Sequence, residues 1–368
     1  MATSGKNNYW ILALITAVAV FVRLYGLNWG PGLPLEQKAS IILSVSAGIL
    51  SVIGLYFLVK ELFDENLAMI SSFLLAVSSW HIFMSKSGAK ETLASFALIY
   101  AFYFIWHGLK YGHVFDFFMA GLFGGAGLYA GKSFLVAPLA VLLLFLNYWD
   151  YIKKDFSLSK YSETKGQILG GFSLLVLTAM AVVLPVGFYV WQNPGFILSA
   201  DNSVFSSAEP FTQLYRNLGW LIDKIVFIEP SGSNLVSWPI SIFFAIGFIK
   251  EIIHWLKRKH GHFSVAHTVV FSWLFVMLVP VLLPADPSAQ AGVLGLSVIL
   301  PPIILLSAKG LWWVMEKLNK WEHLVYPHTH SMSVGVYPHQ HKHWMGLNAG
   351  PFLALIALMV SIALLEVF

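Results

Sequence analysis

Apolar residues in this chain do not alternate with polar ones at the period of a strand or a surface helix. They come in runs of about 17 to 22, each long enough to cross a hydrocarbon core of about 30 Å as a helix. The runs fall at 9–27, 39–59, 67–84, 92–109, 115–130, 133–149, 168–190, 237–256, 266–283, 292–313 and 350–368, with charged residues concentrated in the gaps and at the run ends. The pattern predicts an all-α fold, a polytopic transmembrane helical bundle of about eleven helices. The first run follows a short start containing Lys6 and has no A-x-A-like cleavage site before Arg23, so a retained helix is expected there.

Composition agrees with this picture. Hydrophobic residues make up 58% of the chain and charged ones 11%, a balance that a soluble domain could neither bury nor solvate. With no cysteine, disulfides and thiolate metal sites are excluded. If the N-terminus is inside, the outer side receives only Arg23, Lys38, Lys86, Lys90, Lys132, Arg216 and Lys224 of the 22 basic residues, the asymmetry that the positive-inside rule requires. An inside N-terminus and an outside C-terminus are therefore expected.

Three connections are long enough to hold structure of their own: 150–167, 191–236 and 314–349. The first, YIKKDFSLSKYSETKG, reads as a solvated linker. In the second, Phe211, Leu214, Tyr215, Leu218, Leu221, Ile222 and Ile225 recur at helical spacing while Arg216, Asn217, Asp223 and Lys224 fall opposite. An amphipathic helix in the membrane interface is expected, either sealing the bundle or lining a cleft. The third carries His323, His328, His330, His339, His341 and His343 without a carboxylate or cysteine partner, which reads as a weakly metal-binding connector. The expected organisation is a bundle over 1–320 that includes the outer loop 191–236, a His-rich cytoplasmic loop over 321–349, and a last transmembrane helix over 350–368.

Several motifs carry candidate chemistry. AGLYAGKS at 126–133 is one residue from a phosphate-binding loop, with Ala126 in place of the first glycine. It lies in an apolar hairpin where Gly121, Gly124, Gly125, Gly127 and Gly131 read as close-packing residues. No span has an acid or base at its centre, which disfavours a proton-coupled transporter, and Arg23, Lys132 and Lys309 near span ends read as snorkelling side chains. The stretch SSWHIFMSKSGAKETL, 78–93, sets Lys86 and Lys90 four residues apart. They form an anion site if the second helix begins early enough for them to share its face, or serve as interfacial anchors beside Trp80.

The run from Ser44 to Lys110, SVSAGILSVIGLYFLVKELFDENLAMISSFLLAVSSWHIFMSKSGAKETLASFALIYAFYFIWHGLK, resembles the GT-C membrane glycosyltransferases. The branch it is most similar to is that of protein O-mannosyltransferases and aminoarabinose transferases. GLYAGKSFLVAPLAVLLL, LPVGFYVWQNPGF and the apolar stretches of 271–318 carry the likeness to about residue 320. The resemblance implies a GT-C-like bundle with an outward-facing active site that takes a sugar from a polyprenyl-phosphate carrier. It implies an acid in the first outer loop as general base and basic residues on the donor phosphate. Here that loop is only GLNWGPGLPLEQKA, in which Glu36 is the sole acid. By resemblance Glu36 is the catalytic base and Lys86 and Lys90 hold the donor phosphate; Arg23 and Lys132, as further cations, and His81, at the outer surface, complete the candidate donor-binding set. Some relatives place a divalent cation beside an acidic pair; one carboxylate is a poor site for a hard cation.

The expected function is transfer of a sugar from a polyprenyl-phosphate carrier to a glycan, lipid or protein acceptor at the outer face of a prokaryotic cytoplasmic membrane. The expected partners are the bilayer, the donor and the acceptor, with no nucleic acid. The alternative from the binding class is a catalytically inert GT-C-like subunit that holds a lipid-linked sugar or a protein partner. Metal or solute transport would rest on the histidines alone.

Overall fold

The structure is a computed structural model that describes residues 9–27, 33–155, 158–193, 204–226, 235–236, 238–257, 262–284, 286 and 295–325. Twelve α-helices lie in these residues: α1 Tyr9–Leu24, α2 Leu35–Leu62, α3 Glu65–Val77, α4 Ser79–Lys86, α5 Glu91–Tyr111, α6 Val114–Ala126, α7 Ala137–Asp155, α8 Leu158–Gln192, α9 Pro210–Val226, α10 Trp238–Lys257, α11 His262–Leu282 and α12 Leu300–Val325. No strand occurs among the described residues, and the chain is an all-α, multi-pass membrane bundle.

Five of these helices are long and apolar enough to cross a membrane, and α3 with α4, bent by 54°, makes a sixth broken span. The bend falls at Ser78, whose extended backbone interrupts the helix while its hydroxyl accepts from the His81 N–H at 3.5 Å and so starts α4. α1 and α6 are shorter apolar helices. α10 and α12 are diluted by charge, chiefly Lys250 and Glu251 on one and Lys309 on the other. Ten of the expected runs coincide with helices in this way. The eleventh, 350–368, lies outside the described residues. So does the His-rich connection beyond Val325, where α12 ends.

The charged stretch 150–167 is not a linker. α7 runs to Asp155 and α8 starts at Leu158, so two long helices project past the apolar runs.

Helix packing depends on small residues, as it does where lipid leaves no hydrophobic force between helices. A Cβ at Gly247 of α10 would fall on the Leu306 carbonyl, and one at Gly310 of α12 on the Phe243 carbonyl, so these backbones touch. Gly121 and Gly125 of α6 meet α8 at Leu175, Thr178, Ala179 and Val182 in the same way. Gly127, in the near-phosphate-loop motif, packs against the ring of Phe134 between two short 3-10 turns, Gly127–Tyr129 and Lys132–Val136, with no strand before it. Hydroxyls inside the bundle bond back to their own helices, Ser51 to Ala47, Ser71 to Leu67 and Ser307 to Ile303, as an environment without water requires.

α9 exposes Phe211 (86%) and Tyr215 (78%) while burying Leu221 and Ile225. It is tied to the bundle by Asn217, whose amide donates to the Leu282 and Pro284 carbonyls at 2.8 Å each. Asn217 was expected on the polar side; it is the buried anchor.

Candidate functional site

The candidate residues gather at one end of the bundle, where α1 and α4 end and α2 and α5 begin. Ser40 donates to the Gly88 carbonyl at 2.8 Å, and Ser44 to the Met84 and Ala89 carbonyls at 3.3 and 3.2 Å. The start of α2 is thereby stitched to the turn between α4 and α5. Gly88 takes φ +72° in that turn, a conformation that favours glycine, and a Cβ there would meet Ile41. Glu36 lies one helical turn before Ser40 and two before Ser44, which places it on the edge of α2 that faces this turn.

Lys86 and Lys90 do not share a helix face, because the second helix does not begin early enough. Lys86 is the last residue of α4 and Lys90 the N-cap of α5, with the Gly88 turn between them. The Lys86 ammonium donates to the Tyr25 carbonyl at 2.8 Å and so caps the end of α1 from an exposed position. Lys90 is exposed, and so is Glu36, which has no hydrogen-bond or ion-pair partner among the described residues.

Arg23 does not snorkel. It is fully buried, donating to the Ala19 and Ala76 carbonyls at 3.0 and 3.1 Å and to His81 Nδ1 at 2.6 Å. Gly48 of α2 makes room for it, since a Cβ there would overlap Ser85 Oγ and come within 3.1 Å of Arg23 Nε. Ser85 in turn donates to the His81 carbonyl at 2.6 Å. Arg23 has no carboxylate partner among the described residues, an unusual state for a buried charge. Lys132 opens the 3-10 turn Lys132–Val136; its side chain is outside the described atoms.

An open apolar groove of about 890 Å³ runs beside this cluster. Its wall is α1 from Tyr9 through Ala13 and Ala17 to Tyr25, with Ile53 and Phe57 of α2 opposite. At 1.5 Å per residue that stretch is roughly 24 Å long, most of the thickness of a bilayer core. One end of the groove is Tyr25, whose carbonyl holds Lys86. Nothing in the sequence pattern alone singled out this groove, because α1 reads as uniformly apolar; the alanines at 13 and 17 are its one signal. For a divalent ion, no group of three or more His, Asp or Glu side chains among the described residues has metal-holding geometry.

Residues 35–191, somewhat under half of the chain, match the family model of dolichyl-phosphate-mannose-protein mannosyltransferases. Among solved structures, the oligosaccharyltransferase of Archaeoglobus fulgidus in its apo form is similar with a TM-score of 0.54 at 12% identity. That alignment covers 98% of this chain and 55% of the archaeal one. The likeness is one of fold. The same archaeal protein, AglB, in complex with an inhibitory peptide and a dolichol-phosphate, aligns with a TM-score of 0.49 at 13% identity over 96% of this chain and 50% of that one. This chain thus spans about half the length of these structures. No curated protein sequence matches it.

Proposed function

We propose, from the premise that this chain is a member of the GT-C superfamily of membrane glycosyltransferases, that it transfers a sugar from a polyprenyl-phosphate carrier to a glycan, lipid or protein acceptor. The reaction takes place at the outer face of a prokaryotic cytoplasmic membrane, with the N-terminus inside. The observation that carries the reading is the apolar groove along α1, which ends where the Lys86 ammonium sits and where Arg23 lies behind it. The apolar lining of the groove suits a prenyl chain, whose phosphate then lies among Lys86, Lys90 and the Arg23–His81 pair. Lys132 belongs to the same end by its place after α6.

In this reading Glu36 takes the proton of the acceptor hydroxyl as the oxygen attacks the anomeric carbon of the sugar. The bond from that carbon to the carrier phosphate breaks, and polyprenyl phosphate leaves with the electron pair. The cations offset the charge that develops on the departing phosphate. The free carboxylate of Glu36 favours a second reading, a catalytically inert subunit that binds lipid-linked sugar, because a general base is normally held in place by a neighbour.

One assay separates the two. Purified protein in lipid vesicles is given a labelled polyprenyl-phosphate hexose, beside Glu36→Gln and the double variant Lys86→Ala, Lys90→Ala. Release of polyprenyl phosphate that falls about 100- to 10,000-fold in Glu36→Gln supports the enzyme and the base. Binding without release in the unmodified chain supports the inert subunit, and failure to bind the donor at all would falsify both.

A further inference from the structure

Among the described residues six buried side-chain polar atoms lack a hydrogen-bond partner: Arg23 Nε, Trp80 Nε1, His81 Nε2, Thr92 Oγ1, Ser95 Oγ and Ser297 Oγ. They belong to the end of α1, to α4, to the first turns of α5 and to the 3-10 turn Leu296–Val298, elements that pack on one another at the candidate site. Buried polar atoms in folded proteins are nearly all paired, so a cluster of unpaired ones marks a place that a water or a ligand completes.

The chemistry of the cluster is one-sided. A guanidinium has donors only, so the 2.6 Å contact requires that Arg23 donates and His81 Nδ1 accepts. The imidazole is then neutral, with its hydrogen on Nε2, because a proton on Nδ1 would set two donors against each other. Nε2 is thus a donor that is buried and unmatched, as are Arg23 Nε and Trp80 Nε1.

We infer that Arg23 is a positioning residue that fixes His81 as a neutral Nε2–H donor, and that this donor serves a phosphoryl oxygen of the lipid carrier. The inference rests on the transferase reading and gives the Arg23–His81 pair a division of labour within it. Charge selects the acceptor. Arg23 is a fully buried cation with no carboxylate partner among the described residues, and the Lys86 ammonium stands at the same end of α1, on the Tyr25 carbonyl two residues beyond it. A neutral sugar hydroxyl would leave that charge uncompensated, whereas a phosphoryl oxygen offsets it.

The test reads the tautomer directly. In protein carrying ¹⁵N-labelled histidine in lipid nanodiscs, the His81 signal is the one lost in His81→Asn. The expected signal is that of an Nε2–H tautomer with an accepting Nδ1, and polyprenyl phosphate shifts it while polyprenol and inorganic phosphate do not. Arg23→Met yields a mixture of tautomers in a protein that still unfolds cooperatively. Two substitutions at His81 separate the roles. Asn keeps an acceptor near the Nδ1 position for Arg23 and has nothing near Nε2, whereas Gln offers an amide donor near Nε2. Affinity for polyprenyl phosphate therefore falls about 10-fold or more in His81→Asn and stays within about 3-fold in His81→Gln.

An Nδ1–H tautomer in the unmodified protein overturns the inference, as does equal loss in the Asn and Gln variants. A shift caused by inorganic phosphate alone overturns the lipid as source. If polyprenyl phosphate binds and is released by turnover but leaves the His81 signal unmoved, only this inference fails. If it does not bind at all, the transferase reading falls with it.

Discussion

At the end of the bundle opposite the candidate site, Glu251 of α10 takes Lys309 of α12 at 2.8 Å and His267 of α11 at 2.5 Å on one carboxylate oxygen, and Lys309 lies 3.6 Å from the centre of the Phe63 ring. Around them Lys110 pairs with Glu61 at 2.8 Å, His107 with Asp116 at 2.6 Å and Lys60 with Glu65 at 3.6 Å. At the site end Arg23 is as deeply buried as any of these and has only carbonyls and a neutral imidazole. All six unpaired buried polar atoms of the described residues lie at that end. Both ends take charge out of water, at a cost that only pairing offsets. Where the described residues supply the partner, the charge clamps helices; where they do not, our proposal assigns a ligand. The comparison separates polar groups that are paired within the fold from those that are not, a distinction that burial alone does not make.

The contrast breaks most visibly at Glu251. Glu251→Ala leaves Lys309 buried without its anion, and a loss of about 3–5 kcal/mol is expected, read as an earlier unfolding transition in detergent. Replacing the cluster together, Glu251→Leu with Lys309→Met and His267→Phe, restores most of that loss, since well-packed apolar groups serve a buried position as well as a buried pair does. A Glu251→Ala variant as stable as the parent would show that the cluster is solvated and that the two ends do not differ as described.

Next in size is Gly48→Ala. The added methyl meets Ser85 Oγ and Arg23 Nε, and overpacking of this kind costs roughly 1–3 kcal/mol. The double variant Gly48→Ala, Ser85→Gly recovers stability if that contact is the cause. Donor binding should remain low in the double variant, because Arg23 is still crowded. Recovery of both together would mean that the position of Arg23 does not matter to the ligand.

How much of this was legible in the sequence depends on which physical quantity each residue reports. Run length reports the thickness of the bilayer, so ten apolar runs could be read from it directly and each coincides with helix. The bend at Ser78 was missed because a polar residue inside an apolar run does not disclose that its hydroxyl will start a new helix. Arg23 and Lys309 were read as snorkelling because distance from a span end gives height in the membrane and not direction around the helix. Direction was nonetheless encoded: Arg23 continues the stripe of Leu12, Ile15 and Ala19 that α1 buries. Asn217 likewise sits one turn before Leu221 and two before Ile225, the buried residues of α9. Glu36 and Lys90 were singled out by charge type in a place that few charges occupy, and the structure puts both, exposed, at the same end of the bundle. Thr92, Ser95 and Ser297 gave no signal, since a hydroxyl that bonds its own helix and one without a partner among the described residues are identical in sequence.

The smallest expected effect is the sharpest test of the comparison. Arg23→Met removes a buried charge that has no counter-ion among the described residues, so the desolvation cost that it imposes disappears along with its bonds to the Ala19 and Ala76 carbonyls. The two terms oppose each other, and the change in stability should stay within about 1 kcal/mol in either direction. Glu251→Ala, a loss of one buried charge from the opposite end, should cost several times that. The same Arg23→Met protein should lose most of its affinity for polyprenyl phosphate, because the His81 donor is no longer fixed. Unfolding curves and donor binding measured on one preparation of each variant would expose the difference. A destabilisation by Arg23→Met that rivals Glu251→Ala would move Arg23 from the ligand's side of the comparison to the fold's, since its bonds to Ala19, Ala76 and His81 would then outweigh its desolvation.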